Sequence, residues 1–113
     1  MAGSLTAATK ENFRDLVAEG TVMVDVWGTD CRPCLALMPH VEKLAEARDD
    51  VTVVALEAPK ARRLCMELKV LGLPAFLLFH NGQEVSRLDG PDLRAAAIDE
   101  WLDKTIASLD DKE

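Results

Sequence analysis

Apolar residues in this chain fall into two patterns, unbroken short runs and helical spacings, and the two alternate along its length. Val22 to Trp27 is an almost continuous apolar, β-branched run, which suits a strand buried on both faces. Val51 to Leu56 repeats the pattern. Between them, Leu37, Val41, Leu44 and Ala45 share one face of a helix predicted from Pro33 to about Arg48. Upstream, Thr9 is placed to cap a helix in which Phe13, Leu16 and Val17 share a face, and Gly20 stops it. Ser4 to Ala8 carries a weak signal for a short edge strand. Ala61, Leu64, Cys65 and Leu68 follow i, i+3, i+4, i+7 spacing and mark a third helix. Two strand-like runs, Phe76 to His80 and Glu84 to Leu88, flank Asn81-Gly82, a strong hairpin signal. Pro91 opens a last helix with Leu93, Ala97, Trp101, Ile106 and Leu109 as its inner face.

The predicted order is β-α-β-α-β-α-β-β-α. Strands that alternate with helices pair in parallel, while the closing hairpin forces one antiparallel pair. The fold class is therefore α/β, a mixed central β-sheet flanked by helices on both faces. No internal repeat, low-complexity tract or Gly/Ser linker divides the chain, so residues 1–113 read as a single domain.

Composition narrows the function by exclusion. Apolar residues make up 49%, enough for a packed core, so disorder is not expected. A net charge of −7 argues against nucleic-acid and anionic-membrane partners, which need a basic face. The same charge favours solubility over self-association, and a monomer is expected. The longest apolar run, Val70 to Phe79, contains Gly72 and Pro74 and is far short of the roughly 20 residues of a membrane-spanning helix. Met1 to Gly20 has no apolar core and carries Lys10, Glu11, Arg14, Asp15 and Glu19, so no secretory signal is expected there. Three cysteines in such a chain do not suggest a structural disulfide framework, and a reducing, cytoplasmic compartment is the expectation.

The candidate chemistry lies in Cys31-Arg32-Pro33-Cys34, just after a buried strand and at the start of a helix. Cysteines three apart on a helix share a face and lie within disulfide reach. Pro33 suits a first helical turn, where its missing N–H costs no hydrogen bond. Cys31 would stand at the helix N-terminus, where unpaired N–H groups and the dipole favour an anion. Such sites bring a cysteine pKa from about 8.5 to between about 3.5 and 7.5, and thiolate is the attacking form. Cys31 is thus the expected nucleophile. Cys34, one turn inside, is the expected resolving thiol. Two other readings compete: half of a zinc site, and a purely structural pair of thiols. Zinc needs four ligands, and Cys65, His40 and His80 form no second pair at ligand spacing. No metal or organic cofactor is required by dithiol exchange.

The stretch Val24-Asp25-Val26-Trp27-Gly28-Thr29-Asp30-Cys31-Arg32-Pro33-Cys34 resembles the active-site segment of the thioredoxin family. Gly72-Leu73-Pro74 followed by Phe76-Leu77-Leu78-Phe79 resembles that family's second landmark, and Asn81-Gly82 and Asp89-Gly90 fall where it has a hairpin turn and a late glycine. The resemblance covers nearly the whole chain and implies a thioredoxin fold. It also implies a protein-disulfide reductase and electron carrier, with disulfide-containing proteins as substrates and a thioredoxin-reductase-like or dedicated electron donor. By resemblance Pro74 is a cis-proline beside the active-site disulfide, and Leu73 offers its backbone to an extended substrate; an ordinary trans-proline starting a strand is the alternative. Asp25 matches a buried acid that moves the proton of the inner cysteine, with an exposed strand-edge carboxylate as the alternative. Trp27 matches a tryptophan packed beneath the active-site loop, and it joins Asp30, Arg32, Pro33, Leu73, Pro74 and Gly90 in the expected substrate-binding surface. Pro39 matches a proline that kinks the active-site helix.

Several positions depart from the family. Asp30 replaces the usual tryptophan before the first cysteine, and Arg32 the usual glycine between the two. Arg32 favours thiolate and a more oxidising disulfide, while Asp30 acts in the opposite sense. Ala55 stands in place of a lysine common near the buried acid, and Leu35 in place of a lysine after the second cysteine. These changes keep two alternatives open: a more oxidising exchanger or isomerase, and a binding module whose cysteines do not turn over. Cys65 shares a face with Ala61, Leu64 and Leu68 and reads as a small buried hydrophobe, with a regulatory or dimer-forming thiol as the alternative.

Overall fold

The run Thr21–Trp27 has no polar face, and in the fold it has no exposed one. A computed structural model describes the backbone of residues 5–112 and the side chains of residues 5–109. The elements are β1 (Thr6–Ala8), α1 (Phe13–Leu16), β2 (Thr21–Trp27), α2 (Arg32–Ala47) and β3 (Thr52–Glu57). A short 3-10 turn (Ala58–Lys60) follows, then α3 (Arg62–Glu67), β4 (Ala75–His80), β5 (Gln83–Asp89) and α4 (Ala95–Lys112). One mixed sheet runs in the order β1-β3-β2-β4-β5. Its central strand, β2, pairs in parallel with β3 and antiparallel with β4. Asn81 and Gly82 both take positive φ, 51° and 88°, as the tight turn between β4 and β5 requires.

Alternate residues of a strand face opposite sides, and each side has its own core. Val22, Val24 and Val26 face Phe13, Val17, Leu64, Cys65 and Leu68, the layer of α1 and α3. Met23 faces Leu37, Val41, Leu44, Ile98 and Leu102, the layer of α2 and α4. Among the described residues no helix is long and apolar enough to cross a membrane.

Three expectations need correction. Pro91 does not open the last helix: it lies in a turn, and α4 begins at Ala95. Proline fits the first corner of a turn as well as it fits a first helical turn, and here Gly90, at φ 128°, precedes it. The centre of the inner face of α4 is Ile98 and Leu102, both fully buried, with Leu93, Trp101, Ile106 and Leu109 partly buried around them. Thr9 caps a turn and not a helix. Its N–H donates to Asn12 Oδ1 at 2.6 Å, its Oγ1 accepts from the Asn12 N–H at 3.2 Å, and the helix proper starts at Phe13. The first strand is Thr6–Ala8, and Ser4 lies outside the described residues.

Helix α4 is also tied to α2 by polar side-chain contacts. His40 Nε2 meets Asp99 Oδ1 at 2.7 Å, and Arg48 bridges Asp50 and Asp103 at 2.7 and 2.6 Å. Partly exposed pairs of this kind contribute about 0–1 kcal/mol each, whereas burying one Ile or Leu contributes about 1.5–3 kcal/mol. Apolar burial therefore decides where α4 sits. Ile98→Ala should cost about 2–5 kcal/mol in urea unfolding. Ile106→Ala, at a partly exposed position, should cost clearly less; equal losses would contradict the assigned inner face.

Candidate active site

The buried run of β2 ends at Trp27, and Gly28 to Asp30 turn the chain into α2. Cys31 is the N-cap of that helix, in extended conformation (φ −95°, ψ 101°). Its Sγ accepts from the Cys34 N–H at 3.2 Å, which is the position an N-cap oxygen usually fills. Arg32 and Pro33 form the first helical turn, so α2 begins one residue before the predicted start. Cys31 and Cys34 are joined in a disulfide with Cα atoms 5.3 Å apart. The two sulfurs are not equivalent. Cys34 is 1% exposed, while Cys31 is partly open to solvent.

A second segment closes on the first. The register Val26↔Ala75 sets the residues before β4 beside the end of β2, and the Leu73–Pro74 bond is cis, with Pro74 buried. A Cβ at Gly28 would stand 3.2 Å from Leu73 Cδ1, so any side chain there would need the Leu73 side chain to give way by a few tenths of an ångström. Gly28 is the site residue that sequence reasoning passed over, although a glycine directly after a buried strand is a known mark of close approach. Gly90 donates its N–H to the Pro74 carbonyl at 3.2 Å, which brings the end of β5 to the same place. Asp30 and Arg32 are exposed and Pro33 is partly exposed. Trp27 is partly buried and lines an apolar cleft of about 540 Å³ with Leu35, Met38 and Ala55. Cys65 is not brought to the pair: it is buried in the layer of α1 and α3, where burial raises its thiol pKa. His40 and His80 are also occupied elsewhere, His40 by Asp99 and His80 by Thr21 Oγ1 at 3.0 Å.

Asp25 is the buried charged residue among those described, at 1% exposure. Neither carboxylate oxygen has a hydrogen-bond partner among the described residues. Its cross-strand neighbours are Ala55 and Phe76, which supply no charge. It is two residues from Met23 on β2, on the sheet face that α2 covers. Loss of hydration disfavours the charged form and raises its pKa to about 7.

A carboxyl held at about 7 when folded and 3.8 when unfolded makes stability depend on pH. The native state keeps the proton where the unfolded chain has lost it, so stability is full below about pH 4 and falls as pH rises through about 7. The total fall is roughly 4 kcal/mol. Asp25→Asn should remove most of that slope. Wild type and variant would then unfold at similar denaturant concentrations at pH 4, with the variant more stable at pH 8. Parallel profiles would contradict the assignment.

The thioredoxin family's sequence profile matches residues 4–104. A thioredoxin of Peptoclostridium acidaminophilum is 37% identical over 109 residues, covering 94% of this chain and 99% of that protein. A bifunctional thioredoxin reductase/thioredoxin of Mycobacterium leprae is 33% identical over 93 residues, which are 80% of this chain and 20% of that protein. The structure of thioredoxin f from spinach chloroplast matches with a TM-score of 0.80 at 27% identity, over 95% of this chain and 94% of that one. These matches run through the cysteine pair and the strands on either side of it, and the chain belongs to the thioredoxin family: it is a thiol–disulfide oxidoreductase that works by dithiol exchange.

Proposed function

We propose that the protein reduces protein disulfides, with Cys31 as the attacking thiolate and Cys34 as the resolving thiol. The difference in access between the two sulfurs carries this reading, since a substrate can reach Cys31 and not Cys34. In the reduced protein the Cys31 thiolate attacks one substrate sulfur, and the other leaves as a thiolate. The Cys34 thiolate then attacks Cys31 Sγ, the Cys31–Cys34 bond forms, and the second substrate sulfur leaves. Two electrons pass to the substrate. Before it can attack, Cys34 must give up a proton, and Asp25, with a pKa of about 7, is suited to take it at neutral pH.

The surface around Cys31 suits an extended chain. The N–H and C=O of Leu73 make no backbone hydrogen bond among the described residues, which favours strand-like pairing with a substrate there. Trp27, Asp30, Arg32, Pro33, Pro74 and Gly90 would frame that chain. The oxidised protein must regain two electrons, and a reductase-type donor is the natural source. The M. leprae relative, with reductase and thioredoxin in one name, supports that choice. The chain would act as a monomer in the cytoplasm, where thiols are kept reduced.

Single serine replacements test the roles. With an excess of a protein disulfide, Cys31→Ser should lose turnover and form no adduct. Cys34→Ser should form a stable mixed disulfide through Cys31, visible as a mass increase that a reductant removes. Turnover retained in Cys31→Ser, or an adduct mapped to Cys34 in that variant, would overturn the assignment.

A further inference from the structure

Charge is unevenly spread on this chain. Against a net charge of −7, one groove of about 520 Å³ is lined by Lys10, Arg14, Lys60, Arg62 and Arg63, five of the 13 lysines and arginines. Among the described residues Glu11 and Glu67 are the acids that line it. Arg14 pairs with Glu67 at 3.6 Å, and Lys60 with Glu57, outside the groove, at 3.6 Å. Lys10, Arg62 and Arg63 have no ion pair or hydrogen bond among the described residues. All five cations are exposed.

Topology places this groove at the end of the sheet that carries Cys31. Strands β1, β3 and β2 are mutually parallel, so the segments that follow them leave from one end of the sheet. Lys10 and Arg14 follow β1, Lys60 to Arg63 follow β3, and Cys31 follows β2. Contact joins them: Pro59, in the groove wall, has its Cδ 3.8 Å from the position of a Cβ at Gly28, three residues before Cys31.

We propose that this groove docks the acidic face of a disulfide-bearing partner protein while Cys31 attacks its disulfide. This rests on the reading of Cys31 given above. Exposed cations at the edge of a contact act mainly on encounter rate and partner choice, over the roughly 10 Å that charge reaches at 0.1 M salt. On a chain with a net charge of −7 the groove is a local concentration of positive charge, so it attracts acidic partners and orients them. A nucleic acid is the less fitting occupant. Two of the five cations are already shared with carboxylates, and few phosphates could be neutralised.

The test uses Arg62→Glu/Arg63→Glu, both exposed and outside the exchange machinery, with Arg62→Gln/Arg63→Gln beside it and thermal unfolding to verify the fold. Substrates are two synthetic peptides with the same disulfide loop, one flanked by Asp and Glu and the other by Ser and Gln, and neutral 2-hydroxyethyl disulfide as reference. At low salt, kcat/KM for the acidic peptide should fall about tenfold or more in the Glu variant and less in the Gln variant. That difference should vanish near 1 M salt, where charge reaches only about 3 Å. The Ser/Gln peptide and the reference should stay within about twofold. Equal effects on both peptides, no effect on either, or a loss that persists at high salt would overturn the proposal. So would wild-type protein that holds a duplex oligonucleotide at physiological salt without preferring the acidic peptide. A wild type unable to reduce the small reference disulfide would instead bring down the reading of Cys31, and this proposal with it.

Discussion

A helix leaves its first N–H groups without partners of their own, and something must meet them. Here the sulfur of Cys31 does so, at 3.2 Å from the Cys34 N–H. Most of the site follows from that contact. The apolar run of β2 has to stop at Trp27 for the chain to leave the sheet, and Gly28 lets the turn pass close to the Leu73 side chain. Once Cys31 is the cap, the residue three further on points back along the same face, and its sulfur is close enough to bond. One sulfur is left at the rim and the other beneath it. Partial positive charge at the helix end then favours the thiolate of the outer one.

Asp25 shows what this arrangement costs elsewhere. A buried carboxyl between two valines, without a hydrogen bond among the described residues, opposes folding whenever it is charged. Pairing β2 on both sides along its length, with packed layers above and below, offsets that cost. A pKa of about 7 is the chemical result, and it lets the group accept and release a proton under neutral conditions. Stability and proton transfer thus meet in one side chain. Ala55 contributes by what it lacks, since a cation at that cross-strand position would pull the carboxyl back towards its usual range.

The central strands, the alternation that builds a mixed sheet and the cysteine pair were legible in the sequence because each is local. Val22 to Trp27 carries its burial in its own composition, and Asn81-Gly82 announces its turn. Asp25 was legible for the same reason, as an acid among valines. The ends of elements were less so. Pro91 serves a turn or a helix start equally well, and with the start of α4 misplaced, Ile98 and Leu102 were overlooked as the buried pair. Thr9 and Asn12 make a capping pattern that closes before the helix it was expected to start. Contacts distant in sequence left no local signal. Nothing around His40 announces Asp99, and Lys10, Arg14, Lys60, Arg62 and Arg63 become one groove only because β1 and β3 run parallel.

If the helix end sets the chemistry of the pair, Cys31 and not Cys34 is the thiolate at neutral pH. Alkylating the reduced protein across a range of pH, with the modified cysteine identified by mass spectrometry, measures it directly. Cys31 should be modified first, with an apparent pKa well below the ordinary 8.5, and Cys34 should follow only at higher pH. Earlier modification of Cys34, or a Cys31 that titrates at 8.5 or above, would contradict it.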